Sequence, residues 1–436
     1  MTPWQQRVAA TAAGTAPGLF VRLSGGAVPY PLQVLAYGVA VVCAAFLLAW
    51  ACEAAQADVA RGAVVAAVAF VGILPEYVVE VHFAFTGSAE YVTANLTGAS
   101  RLLLGVCVAL PAAIAALPRR WRPVAVGPIR LMPAQRVDLA ILALASVWAL
   151  RGAVRGRLNL LDAVVLIGLY VLYLRRAAGS ESDAPEPLGV PAELAALPAD
   201  RRRLWVRGLM LFAAAVILMT AVPFGDAVLG SGQLVGISPY LLVQWLVPVA
   251  TEVPELVVAS VLLMHGRGGQ SVAVLLAGAV SQYTLALGTL PIAYTVGAGV
   301  GPLPLAGRER IELFLSIAVA LYAVASLVTL RLSRGDAAIM LVLFSIQFLL
   351  PAAVTRVALA VAFTALAIDV FVDERRSLPA LFAALVDRSP QSGGEVAPEP
   401  DPPVDGYGDE LELWDTAPTR HDVDRLHVYE PVADRD

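Results

Sequence analysis

The chain has 436 residues, 58% of them hydrophobic and 15% charged, with a mean hydropathy of +0.74. A soluble domain carries roughly 25% charged residues. At this charge level the chain cannot cover a water-facing surface, so it reads as an integral membrane protein. That excludes a soluble enzyme, a nucleic-acid binder and a disulfide scaffold. All 30 basic residues are arginine. From Ser389 onward, 13 acids face 3 arginines, so the mildly basic body ends in an acidic, proline-rich tail. Such a tail buries too little apolar surface to fold alone. Cys43, Cys52 and Cys107 lie in apolar stretches without metal-ligand spacing and read as small core residues. Nothing points to a resident cofactor.

In chain order, residues 1–31 form an N-terminal segment without a clear signal-peptide pattern. Apolar segments long enough to cross a bilayer, or nearly so, follow at 32–55, 59–86, 92–117, 136–151 and 158–174. A polar linker, 175–206, separates them from a second set at 207–229, 234–265, 270–297, 310–333 and 336–350. A last segment, 352–372, meets its predecessor at Pro351, so the pair reads either as two helices or as one broken element. Residues 351–388 thus add an extra C-terminal helix, and 389–436 form the tail. The runs are continuous rather than alternating, which favours helices over a barrel. The expected fold is all-α, with about 10–11 transmembrane helices in two five-helix repeats. Arginines cluster after the third segment (Arg119, Arg120, Arg122, Arg130, Arg136) and after the fifth (Arg175, Arg176, Arg201, Arg202, Arg203, Arg207). The positive-inside rule places both loops in the cytoplasm of a plasma-membrane protein, with the N-terminus outside and the tail inside. Arg151, Arg155 and Arg157 disagree with that assignment.

The two halves share a motif. Residues 71–87 read VGILPEYVVEVHFAFTG and residues 250–266 read ATEVPELVVASVLLMHG. A shift of 179 residues superposes Pro75 on Pro254, Glu76 on Glu255 and Gly87 on Gly266. Five crossings precede the second half, so the copies enter the membrane from opposite sides. Inverted repeats of this kind build secondary transporters with an ion site near the midplane. Proline is expected to break the helix and free carbonyls beside the acid. A carboxylate at that depth is costly and is paired, protonated or ion-bound. Glu80 follows Glu76 by one turn, and Glu252 precedes Glu255 by three residues across Pro254. Four acids therefore point at one cavity, with Thr251, Asn95 and Gln282 as polar neighbours. Glu76 and Glu255 head the expected cation ligands.

These segments resemble the α-repeats of the calcium/cation antiporter superfamily, the sodium/calcium exchanger membrane region. That motif runs G-T-S-x-P-E, then G-N-x-x-G-S-N-I-x-N on the next helix. The second copy keeps Ala250, Thr251, Pro254, Glu255 and Gly266; the first keeps Pro75, Glu76, Gly87, Asn95 and Gly98. The motif's serine falls on Ile73 and Glu252. Its later asparagine or aspartate falls on Leu103 and Gln282, and a small hydroxyl on Ala99 and Gly278. The resemblance implies a secondary cation antiporter that exchanges calcium for sodium or protons by alternating access. Its partners are the lipid bilayer and inorganic cations, not nucleic acid. Two other readings fit the same residues: a non-transporting relative serving as membrane sensor or scaffold, and a sodium/proton exchanger. A membrane enzyme finds no motif in its favour.

Overall fold

A computed structural model describes residues 2–25, 28–55, 57–58, 73–116, 129–179, 187–299, 301–350 and 352–386. The acidic tail and the first half of the segment expected at 59–86 lie outside these. The first half begins with α1 (Pro3–Gly14), α2 (Ala16–Leu23) and α3 (Tyr30–Ala55). It continues with α4 (Leu74–Phe85), α5 (Ala89–Leu102), α6 (Leu110–Ala116), α7 (Arg136–Arg155) and α8 (Leu160–Gly179). After the short α9 (Val190–Ala195) come α10 (Ala199–Val235), α11 (Pro239–Met264), α12 (Gly268–Ser281) and α13 (Leu287–Gly297). The chain then forms α14 (Gly307–Leu327), α15 (Arg334–Leu349), α16 (Ala353–Asp373) and α17 (Leu378–Ala383). π-helical turns at Leu103–Cys107 and Gln282–Ala286 carry α5 and α12 onward.

Among the described residues, eight helical runs are long and apolar enough to cross a membrane: α3, α5 with its extension, α7, α10, α11, α12 with α13, α14 and α16. α4, α8 and α15 pack among them. The polarity of the bundle is inside-out. Val164, Leu211, Val354 and Val361 are largely exposed, whereas Glu76, Glu80, Asn95, Arg101, Glu252 and Glu312 are buried. That arrangement suits a hydrocarbon solvent.

Within these bounds the N-terminal segment is helical, and Trp4 and Val8 bury against the bundle. The stretch 175–206 holds the end of α8, all of α9 and the first two turns of α10. Outside the membrane, Arg202 grips Asp58 through Nε (2.8 Å) and Nη2 (2.6 Å) and also caps the carbonyls of Ala195 and Leu197. This guanidinium holds the Asp58 carboxyl down to about 2. Finally, Pro254 does not break its helix. α11 runs unbroken through both Pro248 and Pro254. Each proline withholds one N–H from the carbonyl four residues earlier, which leaves a local gap rather than an end. Pro75 sits in the first turn of α4, where the missing N–H is tolerated. The segments either side of Pro351 are separate helices, α15 and α16.

The repeat extends far beyond the shared motif. Under the 179-residue shift α5 falls on α12, and the two π turns coincide. Gly87 and Gly266 both take positive φ, 80° and 75°. Farther along the shift becomes 174. The strands β1 (Ile129–Arg130), β2 (Arg157–Leu158), β3 (Leu303–Pro304) and β4 (Arg331–Leu332) pair crosswise and antiparallel, β1 with β4 and β2 with β3. The pair Ile129–Leu332 corresponds to Leu303–Leu158. Leu131 N–H donates to Leu330 O, just as Leu305 N–H donates to Gly156 O. Gly156 and Leu330 share the left-handed conformation, φ 69° and 61°. Trp148 Nε1 donates to Asp162, and Tyr322 OH donates to Asp336 at the matching sites.

This crosswise pairing fixes the symmetry axis. β1 and β2 flank the two ends of α7, and β3 and β4 flank the two ends of α14. A 20-residue helix is about 30 Å long, so the two ribbons lie at opposite faces of the bundle. Pairing the start of α7 with the end of α14, and the reverse, makes these helices antiparallel. A two-fold axis that exchanges the ribbons runs across the helices, which is an inverted repeat.

Close helix contacts rest on small residues, as in other membrane bundles. The tightest is Gly98 on α5 against α11: an ideal Cβ there would lie 1.7 Å from the Gln244 carbonyl oxygen. That carbonyl is the one Pro248 leaves without its helical donor. Gly98→Ala is expected to force the two helices apart and cost about 1–3 kcal/mol or more. A thermal unfolding scan in detergent reads this; an unchanged midpoint contradicts the crossing.

Candidate functional site

The acidic residues arrive from α4 and α11, the matched helices of the two halves. In α4 a turn of helix puts Glu76 and Glu80 on one face, and both are buried. In α11 Thr251 and Glu252 are buried and Glu255 is half-buried. α5 supplies Asn95, and the π turn after α12 supplies Gln282, both buried. A π turn re-aims side chains out of helical register, which is why such turns recur at functional sites.

Gln282 ties the halves together. Its Nε2 donates to Glu76 Oε2 at 2.9 Å and to Glu252 Oε1 at 2.6 Å. Asn95 Nδ2 donates to Glu80 Oε1 at 3.3 Å. The carboxyls are also close enough to act on one another, Glu76 on Glu80 and Glu252, and Glu252 on Glu255. The result is a chain of carboxyls, Glu80–Glu76–Glu252–Glu255, crossing from the first half to the second. Glu255 Oε2 stands 2.8 Å from the point where a Cβ on Gly278 would project. The absent side chain at Gly278 leaves room for that carboxyl. Thr251 lies beside the chain, but its hydroxyl is directed to its own helix, to the carbonyls of Val247 and Pro248.

Glu76 Oε1, Glu80 Oε2, Asn95 Oδ1, Glu252 Oε2 and Gln282 Oε1 are buried and take no hydrogen bond from an amide, guanidinium or hydroxyl donor among the described residues. Buried acceptors rarely stay unmatched. Carboxylates in contact repel unless a proton lies between them or a cation bridges them. An all-oxygen set suits a hard cation such as calcium, which takes roughly six to eight oxygens at 2.3–2.6 Å. Among the described residues, no three acidic, histidine or cysteine side chains converge tightly enough to form a closed metal cage. The oxygens are drawn out in a row, an arrangement that protons between neighbouring carboxyls satisfy directly.

Sequence reasoning overlooked a second polar cluster. Arg101, one turn past Thr97 on α5, is almost wholly buried. Its Nη2 meets Glu312 Oε2 at 2.7 Å, its Nη1 meets Gln347 Oε1 at 2.9 Å and its Nε meets the Thr97 carbonyl at 2.8 Å. The guanidinium also lies 5.3 Å from the centre of the Trp245 ring. Arg356 holds the other Glu312 oxygen through Nε at 2.7 Å. One carboxylate thus joins α5, α14 and α16, with Gln347 adding α15. The available signal was an arginine in the middle of an apolar segment, since such charges are rare and occur paired. Arg101→Met would leave Glu312 short of one buried partner, at a cost of about 3–5 kcal/mol. A marked fall in the detergent unfolding midpoint is expected; a wild-type midpoint contradicts the network's structural role.

Comparisons with known proteins bear on the family and the fold. The family model described as sodium/calcium exchanger protein matches residues 30–177 and 205–352, one stretch per half. The fold is similar to the crystal structure of the H+/Ca2+ exchanger CAX, with TM-score 0.84 and 34% identity, over 89% of this chain and 98% of that one. It is also similar to the sodium-calcium exchanger NCX_Mj, with TM-score 0.51 and 16% identity, over 74% of this chain and 98% of that one. The latter likeness concerns the fold alone. A comparison with curated proteins finds no match.

Proposed function

Because the chain belongs to the sodium/calcium exchanger protein family, we propose that it exchanges calcium for protons at the row of carboxyls formed by Glu76, Glu80, Glu252 and Glu255. The chain is a multi-pass membrane transporter rather than an enzyme. The observation that supports the finer reading is the Gln282 amide shared between Glu76 and Glu252, which brings acids of the two halves side by side. The same oxygens serve either protons shared between neighbours or one divalent cation, so the two loads exclude each other. That mutual exclusion is the requirement for antiport.

Two further points favour protons over sodium as the driving ion. Ile73 and Leu103 put hydrocarbon where the resembling motif carries oxygen ligands, which thins any neutral sodium cage. The relative with 34% identity is an H+/Ca2+ exchanger. In the proposed cycle, calcium loading expels protons from the row and draws the carboxylates together with Asn95 and Gln282. Either neutral load permits the change of state, whereas a bare anionic cluster resists crossing the apolar barrier. Inverted halves provide two such states of equal construction, open to opposite sides. In the same reading the protein lies in the plasma membrane, with the N-terminus outside and the acidic tail in the cytoplasm, as the arginine distribution favours.

Calcium uptake into proteoliposomes under imposed pH and sodium gradients tests this reading. Acid on the side that releases calcium is expected to drive uptake, because protons load there. Acid on the side that takes calcium up is expected to inhibit, because protons occupy the same oxygens. Glu76→Gln and Glu252→Gln are expected to abolish uptake. Uptake that follows sodium and ignores pH between about 5 and 8, or that survives both substitutions, contradicts the proposal.

A further inference from the structure

Arg356 has a second surface. Together with Arg308, Ile311 and Ala353 it lines a cavity of about 370 Å3 between the first turns of α14 and α16. Arg356 is 92% buried and commits its Nε to Glu312. Arg308 lies flat on Tyr240 of α11, its guanidinium carbon 3.5 Å from the ring centre. The Nε of Arg308 is buried and without a hydrogen-bond partner among the described residues. Around Tyr240 and Arg356 stand Arg101, Arg308, Glu309 and Glu312, so three arginines face two glutamates, an excess of one positive charge. Glu312 is already shared between Arg101 and Arg356.

The position narrows the ligand. Residues 308 and 353 stand in the first turns of two membrane-crossing helices. First turns lie at headgroup depth, where the bilayer presents phosphodiesters. They also carry unpaired backbone N–H groups and the positive end of the helix dipole. Ile311 supplies an apolar wall on the hydrocarbon side. The cavity has the dimensions of a small-ligand pocket, not of a site for a bare halide.

We propose that this cavity binds a phosphate-bearing anion, held by Arg308 and Arg356 at the mouths of α14 and α16. The phosphodiester of an anionic lipid headgroup and inorganic phosphate present the same oxygens, and guanidinium groups recognise both. Occupation would brace the Arg356–Glu312–Arg101 network, which reaches α5 next to the transport site.

Native mass spectrometry and detergent unfolding scans test the assignment, with phosphatidylglycerol, phosphatidylcholine and inorganic phosphate as probes. Two substitutions avoid the buried ion pair. Arg308→Gln removes a half-buried cation, and Ala353→Glu adds an anion at an exposed first-turn position that tolerates acids. The wild type is expected to retain phosphatidylglycerol over phosphatidylcholine and to unfold at higher temperature with it. Both variants, each compared with its own midpoint in the absence of probe, are expected to bind at least about tenfold more weakly, the loss of one charge-assisted contact. A response to inorganic phosphate that the variants lose, without preference between the lipids, supports the site with the free anion as its ligand. Equal binding by wild type and variants, or no binding of any probe by the wild type, overturns it.

Discussion

The architecture turns on one contact: the amide of Gln282 reaching Glu76 from one half and Glu252 from the other, which holds the two acids side by side. In water such neighbours ionise and separate. In a dry interior they stay together only while a proton or a cation neutralises them. Everything around the contact serves to keep it dry and in register. Gly98 lets α5 lie directly on α11, Gly278 leaves space for Glu255, and the π turn aims Gln282 inward. Leucines and valines on the outer face meet lipid.

The symmetry of the scaffold is close, but the site breaks it. Glu76 and Glu255 are true counterparts. The counterpart of Glu80 is Ala259, that of Glu252 is Ile73, that of Asn95 is Val274 and that of Gln282 is Leu103. The scaffold is two-fold related, whereas the acids and amides at the site are unequally divided between the halves. The first half contributes Glu80 with its Asn95 donor, and the second contributes the bridging amide. The Arg101–Glu312–Arg356 network is likewise not repeated among the described residues, since the counterpart of Arg101 is Val280.

Much of this was legible in the sequence. The inverted duplication showed in Pro75–Glu76 and Pro254–Glu255, because an acid beside a proline in an apolar run stands out and a fixed shift is easily tested. Glu80, Asn95 and Gln282 were visible for the same reason: polar groups are expensive in hydrocarbon. The path of the backbone through Pro254 was not legible. Proline's lost hydrogen bond is a local fact, whereas helix continuity depends on neighbours packed on both sides. The crosswise ribbons at 129–130 and 331–332 and at 157–158 and 303–304 were invisible, since two-residue strands carry no periodicity. Arg101 was passed over because a lone arginine has meaning only beside Glu312, which lies over two hundred residues away.

Difference infrared spectroscopy of the purified protein, with and without calcium, bears most directly on the row of carboxyls. The carbonyl stretch of a protonated carboxyl is separate from the bands of a carboxylate, so the exchange of load is visible without any transport assay. Calcium is expected to remove protonated-carboxyl intensity and to raise carboxylate bands, and Glu76→Gln and Glu252→Gln are each expected to diminish that difference. Calcium binding that leaves the carboxyl bands unchanged would contradict a single set of oxygens shared between protons and cation.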